Sequence, residues 1–472
     1  MDVELPRGIA VVDVGATNTK VMLFDAGGMP RAQRKVPSRH KEGPPYRHID
    51  PEPVFELLRV ALPDLDRTLP VDVIVPCAHG AALACLAASG DLALPVMDYT
   101  AEPPAALAEE YRRIAPPFDE VFAPVLPMAL THGMQLYWQE RAFPEQFARI
   151  ATIVPWIQYA TFRLTGERLS EISGLSSQSH LIAVRTNEYS SLARDRGWDR
   201  LFAPIRKAWE VAGPLLPEFR GSGLRGKGMV LTGVHDSNAN YLRYLAAGLN
   251  SFTLLSTGTW IIGFDTTTPV DKLQMERDTA TNTDVFGRPV ASCRFYGGRE
   301  FELVSEGAAA ELATIDDVRR LVAEDIQALP SFTDSGGPVP GTGGLGRMVG
   351  RNPDTPAERA ALASLYCAQM VAESLDAIGS KTDVIVDGPF SENRCFVRLL
   401  ARLRPGQRLF TSALREGTMA GAACLALMPD GRLPRVELAL DEARPAEIEG
   451  LDRYIRTWRE RAGADPGKFM QN

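Results

Sequence analysis

The stretch Val11-Val12-Asp13-Val14-Gly15-Ala16-Thr17-Asn18-Thr19-Lys20-Val21-Met22-Leu23-Phe24-Asp25 decides how the rest of the chain is read. An apolar strand delivers Asp13, a Gly/Thr/Asn turn follows, and a second apolar strand departs, which is the pattern of a β-hairpin. Gly15 permits a tight turn and a close backbone approach to an anion. Thr17, Asn18 and Thr19 supply short polar donors, and Lys20 adds positive charge. Asp13, at the mouth of the same turn, suits a hydrated Mg²⁺ that carries nucleotide phosphates. Read locally, the element is either a phosphate-holding hairpin or a plain structural one.

Thr253-Leu254-Leu255-Ser256-Thr257-Gly258-Thr259-Trp260-Ile261-Ile262-Gly263-Phe264-Asp265 repeats the design, two apolar strands around a glycine and hydroxyl turn. Phe24-Asp25 and Phe264-Asp265 close the two hairpins, so the sequence predicts two related halves, each presenting a phosphate turn toward a shared cleft. Just upstream of the second hairpin, Val230-Leu231-Thr232-Gly233-Val234-His235-Asp236-Ser237-Asn238 runs strand, turn, helix start. Ser237 and Asn238 read as possible caps of that helix. Asp236, placed between two phosphate turns, has the chemistry to accept a proton from a hydroxyl as its oxygen attacks a γ-phosphoryl group, and it is the expected general base.

These segments together resemble the FGGY carbohydrate kinases of the actin-like ATPase superfamily. Other stretches agree in order: Leu164-Thr165-Gly166-Glu167, Gly297-Gly298-Arg299-Glu300-Phe301, Val384-Ile385-Val386-Asp387-Gly388-Pro389-Phe390-Ser391-Glu392-Asn393, and the small-residue run Glu416-Gly417-Thr418-Met419-Ala420-Gly421. The resemblance implies an α/β chain of two actin-like (ribonuclease H-like) domains with an interdomain cleft, and an ATP-dependent, Mg²⁺-assisted transfer of phosphate to a sugar hydroxyl. The expected division is 1–245 for sugar and phosphate and 246–472 for nucleotide. Asp13, Gly15, Thr17, Asn18, Thr19, Lys20, Ser256, Thr257, Gly258 and Thr259 are the expected phosphate contacts. Gly388, Pro389 and Asn393 come from the segment that resembles the family's adenosine turn. Asp13 and Asp236 are the expected metal ligands.

Two departures stand out. The adenosine turn of the family usually carries two adjacent glycines, whereas Pro389 takes the second place here, fixing φ and removing a donor. Many relatives also set an Asp and an Arg together after the first sugar-contacting strand, whereas this chain has Asp98-Tyr99 with no Arg beside it.

The substrate-facing set expected in the first half is His79, Gly80, Asp98, Gln135, His235 and Asp236. His79 and Gly80 follow the apolar run Val73-Ile74-Val75, where open α/β sheets bind ligands beyond strand ends. Asp98 reads equally as a double hydroxyl contact or a turn cap, and Gln135 as a sugar contact or, slightly favoured, a solvent-facing residue. The loops around Gly258 and His235 look more similar to the rhamnulose and fuculose kinase branch than to glycerol kinases, which implies a ketose or deoxy-ketose.

Composition agrees. The chain has 472 residues, 45% of them apolar, enough for two cores, and a net charge of −8 without a Lys/Arg block. Neither nucleic acid nor an anionic membrane is an expected partner. The six cysteines are scattered without CxxC pairs and read as buried free thiols. No stretch approaches the roughly 18 apolar residues of a spanning helix, so a cytoplasmic monomer or homodimer is expected.

Two glycine-rich runs read as decoys. Gly221–Gly228 lacks the hydroxyl residue and preceding strand of a P-loop, and Gly341–Gly346 follows Pro338 and Pro340, which preclude a central strand. A helix is expected from about Pro356 to Ile378, and a solvated terminal helix around Trp458. The other reading of the whole chain is an actin-like ATPase that serves as chaperone or activator without a sugar.

Overall fold

The computed structural model describes residues 5–334, 337–412, 414 and 416–463. The opening strand Gly8–Val14 shows why the first sheet forms where it does. Ala10, Val12 and Val14 point into one apolar cluster and Ile9 and Val11 into another, so the strand is buried on both faces and reads as a continuous apolar run. It pairs antiparallel with Asn18–Asp25, which pairs with Pro30–Pro37. After the helix Glu52–Thr68 the chain returns as Val71–Ala78, parallel to the opening strand. Met229–Leu231 and Val234–His235 both pair in parallel with Val71–Ala78. The helices Glu52–Thr68 and Trp156–Thr165 cover one face; Asp236–Ala246 and Gly417–Cys424 cover the other.

The second sheet repeats this order. Thr253–Thr257 and Ile261–Asp265 form an antiparallel hairpin, Pro289–Phe295 extends it, and after the helix Pro356–Ala377 the strand Val384–Asp387 lies parallel to Thr253–Thr257, followed by Leu409–Ser412. The duplication read from Phe24-Asp25 and Phe264-Asp265 is visible in atomic detail. Asp25 faces Gly8 and Asp265 faces Thr253 in the two registers. Each carboxylate also closes the turn that follows: Asp25 accepts from the Gly27 and Met29 N–H groups, and Asp265 from those of Thr267 and Thr268. The architecture is mixed α/β, as expected.

The chain divides into two compact units, but not at a single point. The first comprises Met1–Leu249 together with Thr281–Pro289 and Glu416–Glu437; the second comprises Asn250–Ala280, Val290–Arg415 and Leu438–Asn472. A boundary at 245/246 therefore misses two returning segments. The physical reason lies in Gly421, where an added Cβ would sit 1.8 Å from the Ala239 carbonyl oxygen: only glycine lets Gly417–Cys424 lie this close to Asp236–Ala246.

Smaller expectations resolve in kind. Gly221–Gly228 is a surface turn leading into the strand Met229–Leu231, and Gly341–Gly346 is a loop. All six cysteines are free and buried. Among the described residues no helix is long and apolar enough to cross a membrane. The helix Leu451–Ala462 departs from the solvated reading, because Leu451, Tyr454, Trp458 and Ala462 recur at helical spacing and bury one stripe. The Trp458 indole is fully buried and donates to the Ala328 carbonyl oxygen at 2.7 Å. Trp458→Ala is expected to destabilise the protein by about 3–5 kcal/mol, read as a lowered urea midpoint.

Candidate functional site

In the first unit the carboxyl ends of Gly8–Val14 and Val71–Ala78 and the start of Asp236–Ala246 bring the polar residues together. Asp13 stands opposite Lys20 in the hairpin register and opposite Cys77 on the parallel side. Its Oδ1 is buried without a hydrogen-bond partner. Burial, then the Asp236 carboxylate and more weakly Glu416, push Asp13 up to about 7 against the pull of Lys20. Lys20 is ion-paired with Glu416 at 3.1 Å, a partner nearly 400 positions away that no local pattern announces. Within the turn, Gly15 N–H donates to Asn18 O at 3.1 Å, and Thr17 and Asn18 are exposed. Thr19 is not: it is fully buried, with a hydroxyl that finds no partner. Strand alternation turns it inward, so the turn presents Thr17 and Asn18 but not the Thr19 side chain.

Asp236 is the first residue of its helix, where the helix dipole favours negative charge. Ser237 and Asn238 do not cap it. Asn238 Nδ2 lies 3.2 Å from His235 Nδ1 and 3.1 Å from Asn282 Oδ1, and His235 Nε2 lies 3.1 Å from Asp236 Oδ1. With the Asn238 amide as donor to Nδ1, the ring's own proton sits on Nε2 and points at Asp236. Burial works to raise Asp236, yet His235 foremost, then His79 and Ser237, hold it below the ordinary carboxylate value. Its side chain is still 31% exposed, so an ionised oxygen stays within reach of a ligand.

His79 follows Val71–Ala78 and packs edge-on against Tyr99, ring centroids 5.7 Å apart. Burial lowers it to about 4, which keeps the ring neutral. Gly80 is required by contact: a Cβ there would meet His235 Cδ2 at 2.9 Å. Gln135, for which a solvent-facing position was the favoured expectation, is buried. Its Nε2 donates to Ala81 O at 2.9 Å and Ala129 O at 2.6 Å, while Oε1 is buried and unpartnered. The helix His132–Ala142 buries eight consecutive residues, so there is no polar stripe for Gln135 to join. Asp98 is engaged on both oxygens: Oδ1 accepts from Thr100 N–H and Oγ1, and Oδ2 lies 3.0 Å from Arg47 Nε and 2.7 Å from His40 Nδ1. The arginine absent beside Asp98 is thus supplied by Arg47.

Two residues here escaped the sequence reading. His132, at the start of its helix, is buried close to His79 and His235, and burial lowers it to about 3. Glu171 is fully buried; its Oε2 caps the helix Ile172–Ser176 through Ser173 and Gly174 N–H, while Oε1 has no partner. Burial raises it to about 7. Glu416 opened a run quoted above for its small residues, and its pairing with Lys20 is what went unread. A buried carboxylate and histidine without a local motif give no signal in sequence.

In the second unit the hairpin turn is ordered by its neighbours. Gly258 N–H donates to Trp260 O at 2.9 Å, Thr259 is exposed, and the Trp260 and Tyr296 rings stack with centroids 4.2 Å apart. Ser256 is the penultimate residue of the strand Thr253–Thr257. Thr257 is occupied: its hydroxyl donates to Asp387 O at 2.6 Å and accepts from Phe390 N–H at 3.1 Å. Gly388 adopts φ 88°, and a Cβ would lie 2.1 Å from Thr257 O. Pro389 opens the short 3₁₀ turn Pro389–Ser391, a position that needs no N–H donor. Asn393 caps Arg394–Leu403, with Oδ1 accepting from Phe396 N–H and Nδ2 donating to Ser364 Oγ. Thr257 and Asn393 therefore shape the turn rather than offering side chains to a ligand. Beyond the ends of Val384–Asp387 and Leu409–Ser412 lies a cavity of about 920 Å³, lined among others by Gly388, Pro389, Arg394, Thr411 and Glu442.

Among the described residues no group of three or more His, Cys, Asp or Glu could hold a metal ion. The Asp13 and Asp236 carboxylates, with an orphaned oxygen on Asp13, instead suit a hard cation that brings most of its own oxygen shell, as hydrated Mg²⁺ does.

Residues 249–434 match the C-terminal domain of the carbohydrate kinase family FGGY. A carbohydrate kinase from Novosphingobium aromaticivorans is 34% identical over 96% of this chain and 100% of its own, with a TM-score of 0.85. At the level of fold alone, a ligand-bound xylulose kinase from Lactobacillus acidophilus (16% identity, 98% and 99% coverage, TM-score 0.80) and a Plasmodium falciparum glycerol kinase with ADP (13%, 99% and 99%, 0.76) are also similar. Comparison with curated proteins gave no match.

The raised Asp13 has a consequence for stability. An unfolded aspartate loses its proton near pH 4, whereas folded Asp13 keeps it up to about 7, so between those values the folded protein binds more protons and loses stability as pH rises. Asp13→Asn is expected to raise the melting temperature of the ligand-free protein by about 3–6 °C at pH 8 and by less at pH 5. Thermal scans at the two pH values check this; an equal gap at both would show that Asp13 is an ordinary carboxylate.

Proposed function

This chain belongs to the FGGY carbohydrate kinase family and is a phosphotransferase with an alcohol group as acceptor; from that premise we propose that it moves the γ-phosphoryl group of ATP to one hydroxyl of a small sugar. The observation that carries the reading is the Asp236 carboxylate: ionised, part-exposed, aimed by His235 and set beside the orphaned oxygen of Asp13. As the sugar oxygen bonds to phosphorus and the bond to the ADP oxygen breaks, the hydroxyl proton passes to Asp236. The low proton affinity of Asp236 keeps it ready as acceptor at neutral pH.

The Gly15–Lys20 turn, through Gly15, Thr17, Asn18 and Lys20, is assigned to phosphate in the first unit, as is the Ser256–Thr259 turn in the second. Asp13 and Asp236 would hold Mg²⁺, which supplies charge neutralisation on the phosphates. The cavity beside Gly388 and Pro389 is assigned to adenosine; its volume falls within the usual range for small-molecule sites. His79, Gly80, Gln135 and His235 are assigned to the sugar, with Asp98 holding the adjoining loop. A neutral His79 offers one donor and one acceptor, which matches paired sugar hydroxyls.

The acceptor we favour is a ketose or deoxy-ketose, on the likeness of the Gly258 and His235 loops to rhamnulose and fuculose kinases. The proposed setting is a reducing cytoplasm, supported by six buried free thiols, and the proposed state a monomer or homodimer.

Asp236→Asn is expected to lower turnover on the order of 10²–10⁴-fold while ADP still binds, measured by coupled ATP consumption across a panel of ketoses and by calorimetry. Turnover equal to that of the unaltered enzyme would remove Asp236 from the role of base.

A further inference from the structure

Ser38, Arg39 and His40 follow the strand Pro30–Pro37 and lie against the Gly15 turn, yet the reaction scheme makes no use of them. Three consecutive turn carbonyls are held from this segment. Gly15 O accepts from Ser38 Oγ at 2.7 Å, Ala16 O lies 3.0 Å from His40 Nε2, and Thr17 O accepts from Ser38 N–H at 2.9 Å. In a trans peptide the C=O and N–H of one plane point opposite ways. Drawing the carbonyls of residues 15, 16 and 17 toward Ser38 and His40 therefore directs the N–H groups of Ala16, Thr17 and Asn18 to the other side. Among the described residues the Ala16 and Thr17 N–H groups have no hydrogen-bond partner. A run of backbone N–H groups on one side of a glycine turn is an anion-binding concavity.

The same imidazole reaches a second element. His40 Nδ1 lies 2.7 Å from Asp98 Oδ2, an ion-pair distance without hydrogen-bond alignment, and His40 is one of the groups that hold the Asp98 carboxyl below its usual range. Asp98 also holds Arg47, and the residue after it, Tyr99, carries the ring that packs on His79. One side chain thus touches both the turn assigned to phosphate and the loop assigned to the sugar side.

We propose that Ser38 and His40 are positioning residues: they preset the Gly15–Asn18 backbone as a phosphate cradle and, through Asp98, fasten that cradle to the sugar-side loop. The inference rests on the phosphate reading of the Gly15 turn and adds what holds the turn in shape and what it is tied to. Loss of a presetting hydrogen bond of this kind is worth about tenfold in affinity.

Calorimetric titration with Mg²⁺ and the non-hydrolysable ATP analogue AMP-PNP, with phosphate-free adenosine as control, tests it. Ser38→Ala and His40→Ala are each expected to weaken AMP-PNP about tenfold and to leave adenosine affinity unchanged. His40→Gln, which keeps one donor toward Ala16 O, is expected to recover most of the loss. Because His40 and Asp98 act in one line, the double variant His40→Ala, Asp98→Asn is expected to bind AMP-PNP no more weakly than His40→Ala alone. Losses that add overturn the link to Asp98. Undiminished AMP-PNP binding in both single variants, or an equal loss for adenosine, overturns the proposal as a whole. If the unaltered protein binds adenosine but gains nothing from the phosphates, the phosphate reading of the turn itself falls, and this proposal with it.

Discussion

Two carboxylates, Asp13 and Asp236, face each other with too little positive charge between them, and the first unit is built around that opposition. Lys20 relieves Asp13 in part, but it is shared with Glu416. His235 relieves Asp236, and Asn238 and Asn282 keep the His235 ring oriented for that purpose. The two aspartates come from different strand ends of one sheet, so their approach is fixed by backbone pairing and cannot be relaxed by a rotamer change alone. An arrangement that is uncomfortable when empty becomes favourable when a cation or a proton enters it.

Around this pair the sheet ends act as a frame. Parallel pairing of Gly8–Val14 with Val71–Ala78, and of the latter with Val234–His235, sends Asp13, His79 and Asp236 off the same edge. Ring burial keeps His79 and His132 neutral, so polar groups that shape a hydroxyl-binding surface add no further charge to a place already short of countercharge. The second unit uses the same frame differently. There Thr257, Gly388 and Asn393 are committed to the backbone of the turn after Val384–Asp387, which leaves a shaped opening rather than a set of pointed side chains.

What could be read from sequence was what has short range. Both hairpins, the helix Pro356–Ala377, and the strand-to-helix step at Asp236 follow from apolar periodicity and turn residues within about 20 positions. What could not be read was long range. Arg47 serves Asp98 from 51 positions away, and nothing in either neighbourhood says so. Gln135 looked like a surface residue because it is polar, but its helix has no wet face. Thr19 sits in a polar turn yet points inward by strand alternation. The short helix Gly417–Cys424, rich in small residues, declares that it packs closely against something without declaring what.

That helix has a bearing on how the protein is made. Met419, Ala422, Ala423 and Leu425 complete the apolar cluster that holds Ile9, Val11, Ala239 and Leu242. During synthesis the ribosome delivers these partners more than 170 residues after Ala239, so one face of the first sheet has only Asp236–Ala246 to cover it while the second sheet is being translated. A gene fragment cut near residue 249 would encode every catalytic candidate of the first unit and still lack part of its core. The nascent chain must wait, shielded or loosely folded, for Gly417–Cys424.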